Sequence, residues 1–210
     1  MDTLNLDSFI KILDEMANEV FANEALLNKL DSKIGDGDHG ITMRKGFTGV
    51  RNTIQTKSFT GISELLTETG KAMSRSMGGA SGPIFSSILV AAGENCSDKQ
   101  ELCLDDIVEM FDAVLSRIKK LGGAKEGDCT VVDALAPALE SLKESSKNSV
   151  SLQEALKKAA DSAMQGAQET KNMIAKKGRA RFSQEESLGF QDAGATSFAL
   201  MMKAMYDAII

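Results

Sequence analysis

Apolar side chains at Leu104, Ile107, Val108, Phe111, Val114, Leu115 and Ile118 recur at steps of three and four, so they share one face of a helix, and Gly122 and Gly123 end the run. Similar patterns cover residues 6–21, 25–30, 39–54, 62–77, 81–93, 131–142 and 193–209. Ser151-Leu152-Gln153-Glu154 opens a further helix, a serine followed three residues later by a glutamate, and the spacing predicts that it runs to about residue 176. Strand-like alternation is absent. Segments that each carry one apolar stripe bury it against other helices, which predicts a single all-α domain over residues 1–210 with about eight substantial helices.

The pattern from Ala193 differs: Phe198, Leu200, Met201, Met202, Met205, Tyr206 and Ile209 leave almost no polar face, as expected of a helix surrounded by others. Pro137 falls inside a helical pattern, where it either kinks the helix or marks its true first turn. Two prolines, no tryptophan and one tyrosine also speak against a strand-rich sandwich. A chain of 210 residues buries about 70% of its unfolded surface and needs no disulfide staples. Cys96, Cys103 and Cys129 form an odd set without zinc-site spacing, so they read as reduced packing residues.

The net charge of −6 and the lack of a Lys/Arg block exclude a general electrostatic grip on nucleic acid or an anionic membrane. The first residues carry acids where a secretory leader has bases, and no apolar run approaches membrane-spanning length, so a cytoplasmic location is expected.

Chemistry concentrates at the joints between the helical patterns. Around Leu30-Asp31-Ser32-Lys33-Ile34-Gly35-Asp36-Gly37-Asp38-His39-Gly40, three carboxylates and the only histidine sit among glycines. Crowded like charges oppose folding unless a cation offsets them. Asp31, Asp36 and Asp38 offer hard oxygen ligands, the preference of Mg²⁺ and Ca²⁺. An EF-hand fails here, since a loop starting at Asp36 puts Ile41 in the glycine position and Phe47 in the bidentate glutamate position. Mg²⁺ keeps waters or substrate phosphates as ligands, so three aspartates imply a phosphate ester, and a nucleotide is the expected one. The plainer reading is a solvated turn with an aspartate helix cap. His39 could accept a phosphoryl group, act as a base or contact a ligand.

Gly78-Gly79-Ala80-Ser81-Gly82-Pro83 is the second joint, where glycines let a ligand approach, Ser81 can cap and Pro83 suits a first helical turn. At Gly122 to Thr130 another flexible connection precedes a helix, with Asp128 or Thr130 as its cap. The fourth joint, from Lys177 to Asp192, mixes Arg179 and Arg181 with apolar residues and is long for a helix connection, the mark of a lid or a partner-binding segment.

Taken in order, these four segments resemble the L subunits of phosphotransferase-dependent dihydroxyacetone kinases across almost the whole chain. The motifs that carry the resemblance are Asp31 with Ile34-Gly35-Asp36-Gly37-Asp38-His39-Gly40, then Gly78 to Pro83, Gly127-Asp128, Lys177-Gly178-Arg179-Ala180, and Gln191-Asp192 with Gly194-Ala195-Thr196. The resemblance implies an eight-helix antiparallel barrel that holds ADP in the loops at one end, its phosphates bridged to two Mg²⁺ ions by Asp31, Asp36 and Asp38. It also implies that His39, Gly40, Ile41, Thr42, Ala80 and Ser81 contact the nucleotide, with Gly122 and Val131 near the base, Arg179 near the phosphates, and Asp192, Ala193 and Gly194 closing the remaining side.

In that family the ADP takes a phosphoryl group from a phosphohistidine of an M subunit, and the resulting ATP phosphorylates dihydroxyacetone on a K subunit. Those two subunits are the expected partners, with a homodimer and a transcriptional regulator as further ones, and no side chain of this chain is expected to become phosphorylated. Related readings are the nucleotide domain of an ATP-dependent dihydroxyacetone kinase or of a fatty acid kinase, which is fused to other domains, and a regulatory nucleotide-binding module. The end of the chain just after its last helical pattern favours a free-standing subunit. The family reads His-x-Asp-Pro-Gly-Ala where this chain has Phe190-Gln191-Asp192-Ala193-Gly194-Ala195, so the loop before the last helix lacks a fixed proline and a ring donor.

Overall fold

The computed structural model describes residues 2–97 and 99–210. They contain nine α-helices: α1 (Leu6–Ala22), α2 (Glu24–Asp31), α3 (His39–Thr56), α4 (Ile62–Ser76), α5 (Ser81–Asn95), α6 (Leu104–Gly122), α7 (Val132–Lys147), α8 (Leu152–Glu169) and α9 (Ala193–Asp207). Eight are long, at 15–19 residues, and α2 has only 8.

Local chemistry sets the helix ends. The Asn5 side chain accepts from the Ser8 amide at 3.0 Å, and Ser8 returns the bond to the Asn5 amide, so α1 starts with two orphan donors satisfied. Gly123 stops α6 in the left-handed region at φ 58°. At α8 the Ser151 hydroxyl accepts from the Glu154 amide at 3.3 Å, one half of the reciprocal pair its sequence suggests.

The long helices pack in the order α1, α3, α4, α5, α6, α7, α8, α9, and α9 returns to α1, so the ring closes. Consecutive members run antiparallel, as in α4 and α5, where Gly93 near the end of α5 approaches Ser63 at the start of α4, and Gly70 in the middle of α4 approaches Ser86 and Val90. The apolar stripes meet inside, where Phe111 and Phe198 lie edge to face at 6.5 Å. Helix α9 is buried on most sides, as its apolar perimeter predicts, and α2 lies at one end against α3 and α9.

Two expectations need correction, and the open alternative at Pro137 is resolved. Strand pairing is present, though minimal: β1 (Leu4–Asn5) pairs antiparallel with β2 (Glu101–Leu102), setting buried Leu4 opposite buried Leu102. Helix α8 ends at Glu169, not near residue 176, because the Thr170 hydroxyl bonds back to the Ala167 carbonyl and a short 3-10 turn (Thr170–Asn172) leads the chain out. Pro137 lies within α7 and leaves the Asp133 carbonyl without its usual helical donor; Gly166 of α8 packs against that carbonyl so closely that a side chain there would collide with it. Among the described residues no helix is long and apolar enough to cross a membrane.

Candidate functional site

Because successive ring helices alternate in direction, the four joints singled out in the sequence fall at one end. Contacts between them close a rim. His39 at the start of α3 reaches Ser81 at the start of α5, with Nδ1 at 3.3 Å from Oγ. Ile84 of α5 lies beside Gly122 at the end of α6. The Lys176 amide donates to the Asp128 carbonyl at 3.1 Å, tying the α8–α9 segment to the α6–α7 joint. Arg179 completes the circuit by pairing with Asp36.

The acidic loop is organised by Asp31, the last residue of α2. Its Oδ2 accepts from the amides of Gly37 at 2.8 Å, Asp38 at 3.0 Å and His39 at 3.3 Å, with Gly37 at φ 77°. This carboxylate therefore shapes the loop with one oxygen and can offer the other to a ligand. Asp31, Asp36 and Asp38 each bring a carboxylate oxygen to within 4.8 Å of the others. The donor set fits Mg²⁺: all oxygen, all anionic, and exposed enough at Asp36 and Asp38 for water or phosphate to complete the shell. Gly40 packs against α2, where a side chain would strike the Glu24 carbonyl, and Ile41 donates its amide to Asn28 Oδ1 at 3.1 Å.

His39 is buried and stacks obliquely on Phe85 at 5.9 Å. Burial pushes its pKa down to about 4, against the opposing pull of Asp31 and Asp36, so the ring is neutral at pH 7. Its Nε2 lies 2.8 Å from Ser197 Oγ of α9. With both nitrogens engaged inside the protein, the phosphoryl-acceptor reading of His39 loses its nucleophile. Ser81 does not cap α5; its hydroxyl faces His39 instead.

In the α6–α7 joint the organising residue is Asp133, which accepts from the Gly127 amide at 2.5 Å and the Thr130 amide at 2.8 Å. Asp128 is no helix cap: it is buried, accepts from the Lys125 amide at 3.1 Å, and turns Oδ1 toward the Lys176 ammonium at 3.5 Å. Cys129 is held at φ 59°, and burial, then Asp192 and Asp133, push its thiol up to about 12, which excludes it as a nucleophile. Val131 is buried and Gly122 exposed.

The α8–α9 segment, residues 170–192, is pinned at several points. The Ala175 amide donates to Ser187 Oγ at 2.9 Å, and the Asp192 amide to Thr170 Oγ1 at 2.9 Å. Asp192 caps α9 by accepting from the Ala195 amide at 2.6 Å. Burial, with Asp133 and Asp31 adding to it, pushes its carboxyl up to about 7. Ala193 is buried and Gly194 half-buried at the first turn of α9; Ala80 and Arg179 are exposed. A polar groove of about 370 Å³ lies at the opposite end beside Glu64, Glu68 and Lys71, but Thr60 engages Glu64 while Lys57 and Lys71 engage Glu68.

Sequence reasoning missed Ser197 and Asp133. Thr130-Val131-Val132-Asp133 has capping-box spacing, which could have revealed the second; nothing marks Ser197 within an apolar helix.

A model of the DAK2 domain matches residues 33–207. The chain belongs to the DAK2 domain family. Among DAK2 relatives it is 38% identical over 192 residues to the ADP-binding subunit of PEP-dependent dihydroxyacetone kinase from Escherichia coli strain K12, covering 89% of this chain and 90% of that one. The ADP-binding subunit of PTS-dependent dihydroxyacetone kinase from Lactococcus lactis is 29% identical, covering 98% and 99%. D-erythrulose kinase from Mycolicibacterium smegmatis is 34% identical across 95% of this chain but only 35% of its own length. In three dimensions the chain superposes on dihydroxyacetone kinase from C. freundii in complex with AMP-PNP and Mg²⁺, with TM-score 0.76, 29% identity, and coverage of 99% of this chain and 34% of that one. The closed antiparallel ring expected from the resemblance is thus the DAK2 architecture.

Proposed function

We propose that this DAK2 chain is the nucleotide-binding subunit of a dihydroxyacetone kinase, a phosphotransferase that holds Mg-ADP in the rim just described. The observation that carries the reading is the convergence of Asp31, Asp36 and Asp38 within 4.8 Å, with Arg179 set against the same cluster. It is supported by relatives named as ADP-binding subunits and by the likeness to an enzyme solved with AMP-PNP and Mg²⁺.

Asp31, Asp36 and Asp38 would hold two Mg²⁺ ions, which neutralise charge on phosphate oxygens when bound. The first turns of α3 and α5 lie at the rim, and no side chain caps α5, so His39, Gly40, Ile41 and Thr42, with Ala80 and Ser81, are assigned to the nucleotide. Gly122 and Val131 are assigned to the base side, and Asp192, Ala193 and Gly194 to the opposite wall. Arg179 suits phosphate oxygens, since its planar fork matches them in two bonds. Bound ADP would serve as a carrier, taking a phosphoryl group from a phosphohistidine of an M subunit and delivering it, as ATP, to dihydroxyacetone on a K subunit. The protein's own part is positional and electrostatic, with no covalently phosphorylated side chain. We place it in the cytoplasm as a homodimer, with these two subunits and a transcriptional regulator as partners.

Two measurements test this. Protein purified without added nucleotide and then denatured should release ADP; material that carries none and does not bind Mg-ADP overturns the reading. Transfer to dihydroxyacetone and to erythrulose should then be assayed with a K subunit, supplying PEP and phosphotransferase components or ATP as donor. Flux from PEP supports the relay, and flux from ATP alone replaces it with direct ATP use.

A further inference from the structure

Ser197 belongs to none of the groups assigned to nucleotide or metal, yet its hydroxyl decides what the site can donate. The side chain is fully buried in α9, and among the described residues its Oγ has one hydrogen-bond partner, His39 Nε2 at 2.8 Å. A serine hydroxyl carries one proton that needs an acceptor. If Nε2 carried a hydrogen, in either the Nε2–H tautomer or the doubly protonated ring, it would donate to Ser197, and the Ser197 proton would be left in the protein interior with no acceptor. Leaving a buried donor unmade is the costlier choice, so Ser197 donates and Nε2 is the bare, accepting nitrogen. The ring proton is then on Nδ1, which faces Ser81 Oγ at 3.3 Å and donates to it. Ser81 is thereby barred from donating to His39, and among the described residues its hydroxyl has no other acceptor. Its proton is free for a ligand at the start of α5.

We propose that Ser197 is a positioning residue that locks His39 in the Nδ1–H tautomer and so makes Ser81 a committed hydrogen-bond donor to a phosphate oxygen. This deepens the nucleotide reading and rests on it for the identity of the acceptor. The chain of bonds runs Ser197 to His39 to Ser81 to ligand, each hydroxyl or N–H pointing the same way, and it links α9 to the first turns of α3 and α5. With the opposite tautomer the Ser81 hydroxyl would spend its proton on Nδ1 and turn lone pairs toward the ligand, repelling an anion.

Because His39 is the only histidine, its ring nitrogens can be read directly by multiple-bond ¹H–¹⁵N NMR of protein labelled at histidine. The expected result at neutral pH is a protonated Nδ1 and a bare Nε2; a protonated Nε2 overturns the proposal. Ser197→Ala should shift the tautomer and weaken Mg-ADP binding, by calorimetry, about tenfold, the size of one hydrogen bond to a charged group. Ser197→Thr, which keeps the hydroxyl, should restore both. In a Ser81→Ala background, Ser197→Ala should cost almost nothing further, whereas a merely structural Ser197 would add its full effect. Ser197→Ala protein that folds with unchanged tautomer and unchanged affinity overturns the proposal. Wild-type protein with the expected tautomer that does not bind Mg-ADP overturns the nucleotide reading and with it the role of Ser81.

Discussion

Arg179 is ion-paired with Asp36, so the segment between α8 and α9 is fastened to the loop between α2 and α3 through one of the three clustered carboxylates. A cation binding Asp36 meets that guanidinium, and a bound phosphate would draw it away. Arg179→Gln should therefore weaken Mg-ADP binding about tenfold while leaving Mn²⁺ binding without nucleotide as tight or tighter. Calorimetry with Mg-ADP and Mn²⁺ titration by electron paramagnetic resonance check both halves.

Asp36 is exposed and, among the described residues, makes no backbone bond that shapes the loop, unlike Asp31. Asp36→Asn should keep the melting temperature within a few degrees while lowering phosphoryl transfer by about two orders of magnitude or more, as loss of a metal-ligand charge does. Asp31→Asn should cost both metal affinity and stability, because Oδ2 serves three amides. Thermal unfolding and reconstituted transfer separate the two.

Replacing Gly166 by Ala should push α8 away from the Asp133 carbonyl and destabilise the fold by about 1–3 kcal/mol. For a domain of this size that lowers the melting temperature by roughly 2–4 °C per kcal/mol. A melting temperature equal to wild type would show that the two helices are not in close contact there.

Asp133→Ala removes the carboxylate that joins the Gly127 and Thr130 amides. Two charge-assisted bonds are lost, and the expected destabilisation is about 2–4 kcal/mol, with hydrogen exchange rising in residues 123–131. Urea unfolding and amide exchange report the two effects.

Asp192 has a carboxyl pushed up to about 7, above its ordinary value of 3.8. Between those values the native protein holds a proton that the unfolded chain releases, so this group stabilises the fold at low pH and that contribution is lost as pH rises through about 7. His39 acts oppositely: with its pKa lowered from 6.5 to about 4, it contributes stability above 6.5 that is lost as pH falls toward 4. Asp192→Asn, which keeps the cap, should remove the decline on the alkaline side while leaving the acid side in place. Melting temperatures measured from pH 4 to 8 check the sign; an alkaline decline that persists in the variant would rule out Asp192 as its source.

The helical pattern was legible because each long helix has one apolar stripe, a local property, and Gly123 and Ser151 mark ends by conformational preference and hydrogen bonding that need no distant partner. The residue types at the acidic loop likewise spoke for a hard cation before any fold was known. The end of α8 was not legible, since the turn at Thr170 is held by groups that only folding brings together: its carbonyl accepts from Cys129 Sγ at 3.5 Å and its hydroxyl from the Asp192 amide. The roles of Asp133 and Ser197 were hidden for the same reason, because a polar side chain on a helix is assigned by what faces it. The amino-acid order alone determined about eight substantial helices and the chemistry of their joints, through periodicity and ligand type. Only the closed ring decided that alternate joints share one end, that Arg179 meets Asp36, and that Ser197 of the last helix reaches His39, because those contacts depend on helix packing across the whole chain.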